Sequence, residues 1–156
     1  MNDFLNVQVQ WLVDRAHISD LLYRFASCLD NKDYQGYAAN FVDGGYVEIP
    51  EPTSTSGETF RMPKEKMPEL MPHGLGKYTG THHLSTNHQI EIEGDSATSR
   101  SYLQAVHVGP TPFDHWDGGG WYDCTYRRTP EGWRFVTVKL SVLWITGNPV
   151  SMKAGA

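Results

Sequence analysis

Cysteine is nearly absent: Cys28 and Cys124 are the only two in 156 residues. Two thiols at no metal-ligand spacing cannot make a disulfide framework, so both are expected to be reduced, in a cytoplasmic protein. Basic runs are missing too. No Lys/Arg run is longer than Arg127-Arg128, and 13 basic against 18 acidic residues give a net charge of −5. Nucleic acid therefore finds no electrostatic footprint to bind. No stretch reaches the about 18 consecutive apolar residues of a membrane span, and Met1 to Leu5 lacks a basic segment leading into an apolar run. Neither membrane insertion nor export is expected. Internal repeats and low-complexity tracts are lacking as well.

Several chemistries are excluded by what does not occur. There is no Gly-x-Ser-x-Gly elbow and no cysteine beside a histidine, which removes the usual signs of nucleophilic catalysis. His82, His88 and His107 could converge on a metal, but no His-x-His or His-Glu-x-x-His pattern occurs and no carboxylate or cysteine completes a ligand set. No metal site is expected. Gly118-Gly119-Gly120 leads into a strand rather than a helix, so it is no phosphate cradle.

What is present suits a folded domain with a real core. Hydrophobic residues are 39% and charged residues 20%, and five Trp, eight Tyr and six Phe can fill an interior and still line a pocket for a flat or apolar ligand. The length fits one domain over 1–156, with its core at about 9–147.

From Val9 to Leu29, apolar residues recur at Trp11, Ile18, Leu21, Leu22, Phe25 and Leu29, the three-and-four spacing of a helix with one buried face. Asn31-Lys32 breaks it, and Asp33 can cap a second short helix carrying Tyr34, Tyr37, Ala38 and Phe41. Gly44-Gly45 ends that unit. Tyr46 to Ile49, closed by Pro50, reads as an edge strand. Residues 50–76 hold five prolines and read as a loop with a short helix after Pro63, placed as a lid or subunit contact would be. Strands are expected at 82–93 and 96–109, then, after a loop running through Gly118-Gly119-Gly120, at 121–128 and 133–146. Helices first and an antiparallel meander afterwards is an α+β fold, the helices closing one face of a curved sheet.

One pair of residues invites chemistry. Asp30 sits in the last turn of the first helix, where the macrodipole disfavours a carboxylate, and histidines open a later strand in Thr81-His82-His83. The bland reading of Asp30-Asn31 is a polar helix stop, and that of each histidine a hydrogen-bonded strand residue. The functional reading pairs Asp30 with His83 as a proton-transferring dyad. Strict alternation sets His83 opposite the apolar Leu84, Ile90 and Ile92. Either the wall near His83 is polar or a bulge shifts the phase between Asn87 and Ile90.

The run Ile18-Ser19-Asp20-Leu21-Leu22-Tyr23-Arg24-Phe25 through Asp30, the Thr81-His82-His83 strand entry with Asn87, the Gly94-Asp95-Ser96-Ala97 turn, Gly120-Trp121-Tyr122-Asp123, Tyr126-Arg127-Arg128 and Glu131-Gly132-Trp133-Arg134-Phe135 together resemble the SnoaL-like domain of the nuclear transport factor 2-like superfamily. Within it the chain is similar to cofactor-free lyases: scytalone dehydratase, bile-acid 7-alpha-dehydratase and hexachlorocyclohexane dehydrochlorinase. The resemblance implies a cone-shaped α+β barrel, catalytic His83 and Asp30, no cofactor, and an apolar aromatic or alicyclic small-molecule substrate. It places Leu103, Ala105 and His107 on the cavity wall, with Tyr46, Trp121, Tyr122 and Val138 completing the expected substrate-binding set. It also implies a homo-oligomer, trimer or dimer. Two departures stand out: Leu29 replaces the tyrosine that precedes the aspartate in scytalone dehydratase, and Val138 stands where the other two lyases carry an arginine. The group that helps the leaving group depart is then sought among Tyr46, His107 and Tyr122. A non-catalytic scaffold, like the small subunit of a ring-hydroxylating dioxygenase, and a polyketide cyclase or ligand-binding module remain the alternatives.

Overall fold

The computed structural model describes residues 2–50, 59–111 and 113–147. The first helix, α1, runs Asn2–Asp30, seven residues earlier than the apolar periodicity alone marks, because nothing in the first turns breaks a helix. Asp14, Ile18, Leu21, Leu22, Phe25, Cys28 and Leu29 form its buried face. The stop is a left-handed turn: Lys32 has φ 57°, and the Asp33 amide donates back to the Cys28 carbonyl at 2.8 Å. Lys rather than Gly holds this position, and its Nζ donates to the Tyr78 carbonyl at 2.6 Å, tying the helix end to the entrance of a later strand. Asp33 caps the next helix, α2 (Tyr34–Ala39), accepting the Gly36 amide at 2.8 Å.

Phe41, expected on that helix, instead opens β1 (Phe41–Pro50). β1 is internal, not the edge strand its closing proline suggested. It lies between β2 (Thr59–Pro63) and β6 (Gly132–Gly147), antiparallel to the first and parallel to the second. Within the stretch expected to be a loop, β2 was not anticipated; a 3₁₀ turn (Lys64–Lys66) and α3 (Met67–Leu75) supply the short helix after Pro63. Residues 51–58 of that stretch lie outside the described residues. The remaining strands are β3 (Gly80–Glu93), β4 (Ser96–Val108) and β5 (His115–Thr129), an antiparallel run that β6 completes. The six-stranded sheet has the order β2-β1-β6-β5-β4-β3, and the β1–β6 pair makes it mixed rather than wholly antiparallel.

Gly118-Gly119-Gly120, expected in a loop, belongs to β5. A Cβ on Gly120 would meet the Ser141 carbonyl oxygen at 1.9 Å, and one on Gly119 the Trp144 indole at 2.4 Å. The glycines answer close approach at the β5–β6 bulge.

The core sits between α1, α2 and the inner face of this curved sheet. Phe25 contacts Tyr37, Phe135 and Tyr122 with ring centroids 4.8, 5.4 and 5.4 Å apart. Each such ring contributes on the order of 2 kcal/mol by leaving water. At the other end, Asp14 accepts from both terminal nitrogens of Arg128 and from Trp133 Nε1 at 3.0 Å, pinning mid-helix to the β5–β6 hairpin. Cys28 and Cys124 are free and buried.

Candidate active site

A bulge in β3 decides which side chains face inward. Pairing with β4 jumps between Thr86 and Gln89, and Asn87 takes φ 56° there. Before the bulge the odd positions Thr81, His83 and Ser85 point inward; after it the even positions Ile90 and Ile92 do. The phase shift expected between Asn87 and Ile90 is present, and it turns His83 toward α1.

There His83 meets Asp30. Its Nδ1 lies 2.7 Å from Asp30 Oδ1, its backbone amide donates to Oδ2 at 2.9 Å, and Thr81 Oγ1 donates to Oδ1 at 3.0 Å. The side chains are 7% and 23% exposed, respectively for His83 and Asp30. Burial works to raise the Asp30 pKa, but the hydrogen bonds from the His83 ring, the His83 amide and Thr81, with the His83 charge, leave it below the usual carboxylate value. An ionised Asp30 only accepts, so Nδ1 carries the proton and the lone pair rests on Nε2. Among the described residues, Nε2 has no hydrogen-bond partner.

The neighbouring strand supplies a second imidazole. His107 pairs with Thr81 across the sheet, is 3% exposed, and turns its ring edge-on to His83 at 5.3 Å. It stacks on Trp116 at 3.8 Å with the planes 6° apart; Trp116 Nε1 in turn donates to the Tyr78 hydroxyl at 2.7 Å. Burial, then the His83 charge, pulls the His107 pKa down to about 4. Its Nδ1 is buried without a partner among the described residues. At neutral pH this ring is uncharged: it can hold a hydrogen bond but is no ready donor of a full proton, against its candidacy as the leaving-group acid.

The other expected site residues divide by strand alternation. Leu103 and Ala105 are buried on the inner face, in register with Ser85 and His83. Tyr122 and Val138 are inner too, but as fully packed core residues, and burial drives the Tyr122 phenol far above its ordinary value. Tyr46 and Trp121 do not belong with the dyad. Each is one residue from an inward neighbour, Val47 or Tyr122, and so emerges on the outer face: Tyr46 under Arg61 at 4.9 Å, Trp121 against Tyr102 at 4.8 Å. His82 is exposed, and His88 bonds Ser19 Oγ at 3.0 Å, so the three imidazoles considered for a metal do not converge.

Sequence reasoning missed Thr81 as a ligand of Asp30, although it shares a strand face with His83. It missed Trp116 because that residue fell in a stretch taken as a loop, and Tyr78 because it lay between the expected elements. An open groove of about 420 Å³, lined by Gln89, Thr98, Arg100, Asp123, Thr137 and Lys139 among others, lies on the outer face, away from the dyad. Two of its charged walls pair with each other, Arg100 to Asp123 at 2.7 Å.

Residues 10–139 match the SnoaL-like domain. The chain belongs to that family. Its fold is nuclear transport factor 2-like, as the resemblance implied. An uncharacterized protein of Mycobacterium tuberculosis H37Rv is 27% identical over 132 residues, 83% of this chain and 86% of that one. Among solved structures, a candidate scytalone dehydratase of Novosphingobium aromaticivorans superposes with TM-score 0.77 at 21% identity, over 89% of this chain and 90% of its own. A LinA-type hexachlorocyclohexane dehydrochlorinase of Novosphingobium barchaimii does so with TM-score 0.74 at 16% identity, over 92% and 95%. At such identities these two share the fold of this SnoaL-like chain; their chemistry is their own. Among the described residues no helix is long and apolar enough to cross a membrane.

Proposed function

We propose that this SnoaL-like protein is a cofactor-independent lyase in which His83 is the general base and Asp30 its positioning partner. The observation that carries the reading is the 2.7 Å contact between His83 Nδ1 and an Asp30 carboxylate itself fixed by Thr81 and the His83 amide. That arrangement leaves Nε2 basic. In the proposed step, Nε2 takes a proton from a C–H of a small apolar, aromatic or alicyclic substrate. The electron pair of that bond forms the new π bond, and the group on the adjacent carbon departs with its bonding pair, as halide, or as a hydroxyl that takes the proton back from His83 Nε2 and leaves as water. Asp30 stabilises the imidazolium so formed. His107, held neutral against Trp116, offers a hydrogen bond to the substrate from the neighbouring strand. The wall formed by Leu103 and Ala105 favours apolar ligands.

Lyase names among the structural neighbours agree with this class and supply no substrate. The test is elimination measured on a panel of hydroxylated and halogenated ring compounds. His83→Ala and Asp30→Asn are each expected to lose ~10²- to 10⁴-fold in turnover, as removal of a positioned acid/base group does, with unchanged circular dichroism. Full activity in either variant overturns the mechanism.

A further inference from the structure

A lysine stands at the helix stop where the backbone favours glycine. Lys32 is exposed and takes φ 57°, a left-handed conformation that a residue with a Cβ adopts less readily than one without. The backbone gains nothing from lysine there; the side chain supplies the reason. Its Nζ donates to the Tyr78 carbonyl at 2.6 Å and to the Gly76 carbonyl at 3.4 Å. The last turn of α1 carries no basic residue, and Gly76 caps the end of α3. The ammonium therefore lies at the negative ends of two helices, where a cation is favoured.

Both carbonyls belong to the segment that feeds β3. On its other side this segment is fixed to β4, where the Thr79 amide and Oγ1 donate to the Val108 carbonyl at 2.9 and 3.0 Å. Lys32 follows Asp30 by two positions on one element, and Thr81 and His83 follow Tyr78 by three and five on the other. The lysine thus joins the same two elements that the dyad joins, through bonds of 3.0 Å from Thr81 and 2.7 Å from His83 to Asp30. Tyr78 also reaches the second imidazole. Its hydroxyl accepts from Trp116 Nε1 at 2.7 Å, and its ring centroid is 5.0 Å from that of His107, which stacks on Trp116. One surface side chain holds the backbone from which both histidines are placed.

We propose that Lys32 is a positioning residue: from the surface, its ammonium clamps the end of α1 to the entrance of β3 and so sets Asp30 against His83 and Tyr78 against His107. The inference rests on the dyad being the catalytic centre. Reacting groups tolerate little displacement, and an error of about 1 Å can cost on the order of 10²-fold in rate. A residue kept for positioning against its own backbone preference should also separate activity from stability.

Three variants test the clamp. Lys32→Gly removes the ammonium and relaxes the left-handed residue, Lys32→Met removes the ammonium and keeps the strain, and Lys32→Arg keeps a cationic donor. Turnover is measured on the compound that wild-type protein eliminates from the panel above. The His83 Nδ1 proton is followed by NMR, which needs no substrate. The Gly and Met variants are expected to lose about 10- to 100-fold in kcat with KM within about twofold of wild type, since Lys32 touches no substrate. In both, the Nδ1 proton should move upfield and exchange faster with water. The Arg variant should recover most of the turnover and of the resonance. The Gly variant should unfold at a higher urea midpoint than the Met variant while sharing its low kcat. Wild-type kcat and resonance in either the Gly or the Met variant overturns the clamp, as does an Arg variant no better than Met. Full turnover in His83→Ala would remove the dyad reading instead, and the Nδ1 resonance alone would then decide whether Lys32 holds Asp30 against His83.

Discussion

Acid should destabilise this protein in part through a buried imidazole, His107. Unfolded, the imidazole takes up a proton near 6.5; folded, it resists until about 4, because it is 3% exposed and faces His83. Between those values the unfolded chain binds a proton that the folded one does not. Stability therefore falls as pH drops through 6.5 and levels out below 4. The full difference is about 3 kcal/mol, of which about 2 kcal/mol is lost between pH 7 and pH 4.5. His107→Phe keeps a flat ring to stack on Trp116 and cannot be protonated. The Nδ1 it removes has no partner among the described residues. Urea titrations followed by tryptophan fluorescence should show wild type losing about 2 kcal/mol more than the variant over this interval. In a thermal melt that is roughly 4 to 8 °C. Parallel pH dependences for the two proteins would refute burial as the state of this ring.

Other outcomes follow from the same geometry. Asp14→Ala leaves the buried Trp133 indole N–H without its acceptor and Arg128 with Asp95 and the Gly94 carbonyl, and should cost ~1 to 3 kcal/mol in urea unfolding. Hydrogen bonds from Arg128, against burial, hold the Asp14 carboxyl far below its usual range, so its contribution is complete at neutral pH and fades as pH falls below the ordinary carboxylate value; the variant should lack that portion of acid sensitivity. Tyr46→Ala and Trp121→Ala, both on the outer face, should leave turnover within about twofold of wild type on the reading that the dyad does the chemistry; a large loss would move the site to the other side of the sheet. Asn87→Gly should be close to neutral, whereas Asn87→Val should cost ~1 to 2 kcal/mol at φ 56°, read by the same unfolding titration.

Much of this architecture was legible in the residues because it follows from periodicity. The three-and-four spacing through Ile18, Leu21, Leu22 and Phe25 marked α1, Asp33 marked the start of α2, and the Gly94-Asp95 turn separated β3 from β4. Even the β3 bulge was readable, as a conflict between His83 and Ile90 over which face is inner. What was not legible depends on partners remote in sequence. Pro50 suggested an edge because pairing with β6 leaves no local trace, and β2 is too short to declare itself among prolines. Gly118-Gly119-Gly120 looked like a loop since glycine chosen for close approach cannot be told from glycine chosen for a turn. That error hid Trp116, the stacking partner of His107. Tyr46 and Trp121 were chosen for their chemistry without regard to strand phase; counting alternation from Val47 and Tyr122 would have moved them.

The parallel pairing of β1 with β6 has a bearing on how the chain reaches its final form. Val47 lies beside Val138, so an early-made strand finds its neighbour only after the intervening chain and β6 have been made. Such distant pairing raises contact order and slows folding. During synthesis on the ribosome, the β1–β2 ribbon must wait with one flank unsatisfied until β6 emerges, and truncation within β6 would leave that flank open to pairing with another chain.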